Sequence, residues 1–116
     1  MELEPLEKLI GHSFADPELL LRALTHRSWA HEKFPGEADD RLSEIENESL
    51  EFVGDSVLGL AVAEWLYRTH PGMNEGDLTM MKHRLVSSTT LSEIALSLDL
   101  GSFIRLGRGK IKTGGA

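Results

Sequence analysis

The chain has 116 residues, no cysteine, 41% hydrophobic residues and a net charge of −7. That length holds one domain with a modest core, and the lack of cysteine excludes a disulfide framework and any thiolate metal site, in keeping with a reducing compartment. The charge is unevenly spread: residues 1–67 hold 5 Lys or Arg against 15 Asp or Glu, residues 68–116 hold 7 against 4, and the halves therefore carry −10 and +3. An acidic centre beside a basic tail fits a metal site working on a polyanion, and it also fits a solvated acidic surface. The opening Met-Glu-Leu-Glu has no basic stretch of the secretory kind. The most apolar run, VLGLAVA at 57–63, falls far short of the roughly 20 residues of a membrane helix. A soluble, cytoplasmic protein with no membrane partner is the expectation.

In chain order, residues 3–11 predict a short helix with Pro5 in its first turn and Gly11 as its stop. Asp16-Pro17-Glu18 supplies a capping side chain, a proline at the first helical position and an acid in the first turn, opening the amphipathic run PELLLRALTH. Residues 30–46 lack sustained periodicity, contain Pro35-Gly36 and a cluster of acids, and read as a loop. The main helix is expected from Asn47, its cap, to Thr69, roughly 35 Å long. Leu50, Val53, Val57, Leu60, Ala61 and Trp65 supply a packing side, while 57–62 is apolar nearly all round and places the helix inside a bundle.

His70-Pro71-Gly72 ends that helix, and another is expected from Glu75 through Val86. A T-x-x-E capping box at Thr90–Glu93 starts a further helix that stops at Gly101. The tail GSFIRLGRGKIKTGGA has no hydrophobic period and reads as a loop or a disordered end; it lacks the glycine spacing and the Ser or Thr of a P-loop. Nothing reads as a paired strand. The fold class is all-α, with about five helices.

Within the main helix, NESLEFVGDSVLG places Glu48, Glu51 and Asp55 on one stripe, each about one turn from the next. Like charges at this spacing cost a few tenths of a kcal/mol per pair, no Lys or Arg stands in the stripe, and a hard divalent cation would reverse the sign of that cost. Leu50, Phe52, Val53, Val57 and Leu58 around the acids make their surroundings drier, and Gly54 at mid-helix points to a close approach to the backbone. On the residues alone, a cation site and a solvated acidic face both stay open. His26 and His31 are five apart, a poor helical spacing for a shared ligand, and His83 is isolated; structural or surface roles are expected of all three.

The run N-E-x-L-E-F-x-G-D-x-V-L resembles the signature of the ribonuclease III family of double-stranded RNA endonucleases. LLLRALTHRSWAHE (19–32) is similar to that family's L-x-x-A-L-T-H-x-S segment, and NEGDLTMMKHRLVSSTTLSEIA (74–95) to its E-G-x-L-T-x-x-R-x-x-L-V segment. The resemblance implies a ribonuclease III-like helical bundle in which Glu51 and Asp55 are catalytic and help hold Mg2+, with Mn2+ as a substitute. It gives Glu48 and Glu75 auxiliary roles, and it seats Phe52 in a socket on the partner of a homodimer. Ser49 stands where the family often has Arg, and the preceding loop is unusually acidic.

LGRGKIKTGG looks like the family's link into a later helix that carries two further metal carboxylates, an Asp and a Glu. The expectation is a single unit, 1–116, forming the larger N-terminal part of an endonuclease domain, incomplete at its C-terminus and without the family's double-stranded RNA-binding domain. The implied reaction is metal-dependent hydrolysis of duplex RNA to 5′-phosphate and 3′-hydroxyl ends, in the service of RNA processing, including that of rRNA, with impaired activity in this fragment. Lys82, Arg84, Arg105, Arg108, Lys110 and Lys112 are candidate phosphate contacts. The rival readings are a non-catalytic relative that binds RNA or a protein, and an unrelated helical metal or scaffold protein; no Glu-x-x-His pair supports a di-iron bundle.

Overall fold

A computed structural model of the chain describes residues 2–109. It contains seven α-helices, α1 (Glu4–Ile10), α2 (Pro17–Ala23), α3 (Arg27–Lys33), α4 (Asp39–Leu42), α5 (Glu48–Thr69), α6 (Glu75–Leu85) and α7 (Ser88–Ser97), followed by a 3-10 turn at Leu100–Phe103. The all-α expectation holds, and the number of helices exceeds the five expected because residues 30–46 are not a plain loop. The end of α3 and the single turn of α4 lie within that stretch, too short to show a hydrophobic period. Arg22 pins the segment between α4 and α5, donating from Nε to the Glu46 carbonyl at 3.0 Å and from Nη2 to the Ser43 carbonyl at 2.9 Å and Ser49 Oγ at 2.8 Å.

Local signals placed several termini correctly. Gly11 ends α1 with φ 71°, a left-handed conformation that suits glycine, and the Asp16 carboxylate caps α2 by accepting from the Glu18 amide. Two caps differ from expectation. Asn47 does not cap α5; its side chain donates to the Ala23 carbonyl at 2.9 Å, and the buried Glu46 carboxylate accepts from the Glu48 amide instead. Ser87 caps α7, accepting from the Thr90 amide at 3.2 Å, so Thr90 lies inside the helix with its hydroxyl on the Arg84 carbonyl.

One core joins Leu6 of α1 with Leu20 and Leu24 at α2, closed over by Phe14, Leu100, Phe103 and Ile104. The long helix α5 runs antiparallel to α6 and packs through the row Leu58, Val62 and Leu66, of which Leu66 is fully buried. That is a different row from the expected one: Val53, Val57, Leu60 and Trp65 are exposed. A stretch apolar all round carries no amphipathic moment, so the sequence could not say which side of it would be covered. Among the described residues α5 flanks the core and does not run through it.

The tail departs furthest from expectation. Arg105 forms a parallel bridge with Thr25, its amide donating to the Leu24 carbonyl at 2.8 Å and its carbonyl accepting from the His26 amide at 2.9 Å. The Gly107 and Arg108 amides donate to Ser28 Oγ and to the Glu32 carboxylate at 2.9 and 2.6 Å. Residues 104–108 are thus stitched to the joint between α2 and α3. Lys110 and Lys112 lie outside the described residues.

Candidate active site

Glu51 and Asp55 project, exposed, from adjacent turns of α5 into an open cleft of about 900 Å³ between α5 and α7. Glu48 stands at the α5 entrance to the cleft, and Leu91, Ala95 and Leu100 form the opposite wall. The stripe inferred from helical spacing therefore exists and faces one space.

Two cations, neither adjacent in sequence, bracket it. Arg27, at the first position of α3, reaches Glu48 with Nη1 to Oε1 at 3.4 Å, relieving the repulsion at that end. At the other end Lys82 lies across α5 where Gly59 offers no side chain: a Cβ on Gly59 would stand 3.5 Å from Lys82 Cε and 3.6 Å from Nζ. Gly59 follows Asp55 by one turn, so the ammonium lies just beyond the acids. Among the described residues Glu51 and Asp55 have no ion-pair partner.

These two carboxylates fit part of a hard-cation site. They are acceptor-only oxygens one turn apart, exposed to a cleft and neutralised by no neighbour, so an arriving cation displaces no existing partner. They do not complete a shell, since among the described residues no three Asp, Glu or His side chains converge on a point. Glu75, expected as an auxiliary acid, opens α6 beside the far end of α5, about 15–20 Å along the axis from Asp55. The structure does not bring it to the cleft. The close backbone approach expected at Gly54 is likewise missing: nothing among the described residues would meet a Cβ there within 4 Å. Phe52, on the cleft rim, is 78% exposed.

A family model described as ribonuclease-III-like matches residues 16–116. The chain belongs to that family. Ribonuclease 3 of Solibacter usitatus is 50% identical over 117 residues, covering 99% of this chain and 43% of that protein; the Syntrophobacter fumaroxidans protein is 44% identical, covering 97% and 44%. The chain thus spans less than half the length of these relatives. A solved nuclease domain of ribonuclease III from Campylobacter jejuni, described for structural flexibility in its region involved in dimer formation, is similar with a TM-score of 0.77. It is 37% identical, over 93% of this chain and 67% of that one.

In this ribonuclease-III-like chain the segment Ala23-Leu24-Thr25-His26-Arg27-Ser28 works as a junction. Thr25 is fully buried; its hydroxyl donates to the Leu21 carbonyl at 2.6 Å and accepts from Arg105 Nη2 at 2.7 Å. Its carbonyl takes the Asn47 amide at 3.0 Å, which fixes where α5 begins. His26 Nδ1 caps α3 by accepting from the Ser28 amide at 3.0 Å, giving that histidine a structural task. Arg105, a candidate phosphate contact by sequence, is committed to this junction: its guanidinium also stacks 3.9 Å from the Trp29 ring centroid. Burial there pushes its pKa below the ordinary value, an effect Glu18 partly offsets. Arg84 and Arg108 are exposed, and Lys82 is half-buried beside Gly59. Sequence reasoning missed Arg22, Arg27 and Gly107, because the contacts that give them their place, to Glu46, Glu48 and Ser28, each span more than 20 residues and no local pattern announces them.

Proposed function

We propose that this chain is the larger part of the nuclease domain of a double-stranded RNA endoribonuclease that hydrolyses phosphodiester bonds with Mg2+. What carries the reading is the pair Glu51–Asp55, without an ion-pair partner among the described residues and facing an open cleft, in a chain of ribonuclease-III-like family. Bound Mg2+, or Mn2+ in its place, would supply charge neutralisation at phosphorus and an activated water. Glu51 and Asp55 would anchor the cation from one helix, each giving oxygen ligands and accepting bonds from its waters. Glu48, paired with Arg27, and Glu75 would act only on the surrounding field.

Lys82, Arg84, Arg108 and Lys110 would contact phosphates, placing an A-form duplex by shape and backbone, without reading bases. Exposed Phe52 would enter a pocket on a second subunit, so that a homodimer holds both strands; the Campylobacter relative's region involved in dimer formation supports this. Products would carry 5′-phosphate and 3′-hydroxyl ends. RNA processing in the cytoplasm is the setting that the lack of cysteine supports, and no helix among the described residues is long and apolar enough to cross a membrane.

The test is Asp55→Asn in a protein that carries this chain within a complete nuclease domain. Cleavage of long duplex RNA should fall at least a hundredfold while the circular dichroism spectrum and RNA binding stay near normal. Near-normal cutting by the variant would overturn the assignment. The 116-residue chain, offering two converging carboxylates, should cut the same RNA poorly at saturating Mg2+.

A further inference from the structure

Arg27 and Glu48 occupy the first positions of α3 and α5, and the segments leading into those helices are tied together through Asn47. The Asn47 amide donates to the Thr25 carbonyl at 3.0 Å and Asn47 Nδ2 to the Ala23 carbonyl at 2.9 Å. The Arg27 fork is held on its other edges too, with Nε donating to His31 Nε2 at 3.0 Å and Nη2 at 3.8 Å from Asp39 Oδ2. A long side chain restrained by two partners loses less entropy on pairing with a third group than a free one would. Its remaining nitrogen, Nη1, reaches Glu48 at 3.4 Å, making this pair a feature of the helix junction.

Resting on the reading of Glu51 and Asp55 as the cation-holding pair, we propose that Arg27 is a positioning residue that holds Glu48 out of the cation site. Of three acids on one stripe, the structure pairs the first and leaves the other two. The guanidinium occupies a Glu48 oxygen and places a positive charge roughly 8–10 Å from the centre between the two acids, allowing one helical turn per step. Both effects weaken the hold of the stripe on a divalent cation and confine it to Glu51 and Asp55. Arg27 thereby decides which two of the three carboxylates serve as ligands, and Glu48 becomes a ligand only when Arg27 is gone.

The experiment is a double-mutant cycle on the 116-residue chain, with Mn2+ alone as the probe and its free concentration read by electron paramagnetic resonance. Arg27→Gln should tighten Mn2+ binding about threefold, the effect of removing a unit charge at that distance from a divalent ion at 0.1 M salt. Arg27→Lys, which keeps the charge but not the fork, should give an affinity between those of the wild type and Arg27→Gln. Glu48→Gln should weaken binding about threefold in the wild-type background, through its charge alone, and about tenfold or more in the Arg27→Gln background, where its oxygen also serves as a ligand. Equal effects of Glu48→Gln in both backgrounds would overturn the inference while leaving the cation pair intact. If Asp55→Asn failed to weaken Mn2+ binding, the cation site itself, and the inference with it, would fall. Glu48 and Arg27 are both substantially exposed, so these variants should fold, and matching thermal melts will verify it.

Discussion

Replacing Gly107 with alanine tests the stitching of the tail most directly. A Cβ there would stand 2.5 Å from Glu32 Oε2, 2.9 Å from the Ser28 carbonyl oxygen and 3.0 Å from the Ser28 carbonyl carbon. The carboxylate is the end of a flexible side chain and can swing away, but the Ser28 backbone belongs to α3 and cannot. Segment 104–108 must therefore lift, at an overpacking cost of about 1–3 kcal/mol. Lifting also strains the bonds from the Gly107 amide to Ser28 and from the Arg108 amide to Glu32, worth about 1 kcal/mol each. A loss of about 2–4 kcal/mol corresponds to a melting temperature lower by about 8–15 °C in a domain of this size.

The assay is thermal denaturation followed by circular dichroism, with Gly109→Ala as the control, because a Cβ at Gly109 would meet nothing within 4 Å. Adding Glu32→Ala to Gly107→Ala should recover only part of the loss, since the Ser28 contact survives. A Gly107→Ala protein that melts within 2 °C of wild type would refute the close packing of tail against α3.

Two further outcomes follow from exposure and capping. Phe52→Ala, which removes a ring 78% exposed in the single chain, should leave the melting temperature of the chain unchanged; in a protein with the complete nuclease domain it should weaken self-association about tenfold to a hundredfold by sedimentation equilibrium, as for a buried aromatic anchor. A wild-type protein that sediments as a monomer would remove that role. Ser87→Ala should cost about 1 kcal/mol through loss of the α7 cap, seen as a melting temperature about 4 °C lower, and an unchanged melt would show that the cap does not hold in solution.

What could be read from the sequence was what neighbouring residues decide among themselves. Asp16 and Pro17 start α2, Gly11 stops α1, and the angle between Glu51 and Asp55 follows from helix geometry alone. The covered face of α5 could not be read, because Leu58, Val62 and Leu66 are no more apolar than the exposed Val53, Val57 and Leu60. Ser87 and Thr90 are both plausible caps by type, and only the extended backbone at Ser87 distinguishes them. The glycine in close contact with backbone is Gly107, where a Gly-rich composition resembles a loose end, and not Gly54. The site was legible as a stripe but not as a balance of charge, since Arg27 and Lys82 arrive from other helices.

Arg105 and Thr25 are 80 residues apart, yet their contact completes the joint from which α5 departs. All seven α-helices are therefore synthesised before Arg105, the arginine that reaches Thr25, and the joint closes only by drawing an 80-residue loop together. The nascent chain passes through a stage in which the acidic helix is held at its base by Asn47 and Arg22 before Arg105 arrives, with its uncovered valines and leucines open to other chains. Loss of soluble yield after substitution at Thr25, Arg105 or Gly107 would then report on assembly order, even where the mature protein tolerates the change.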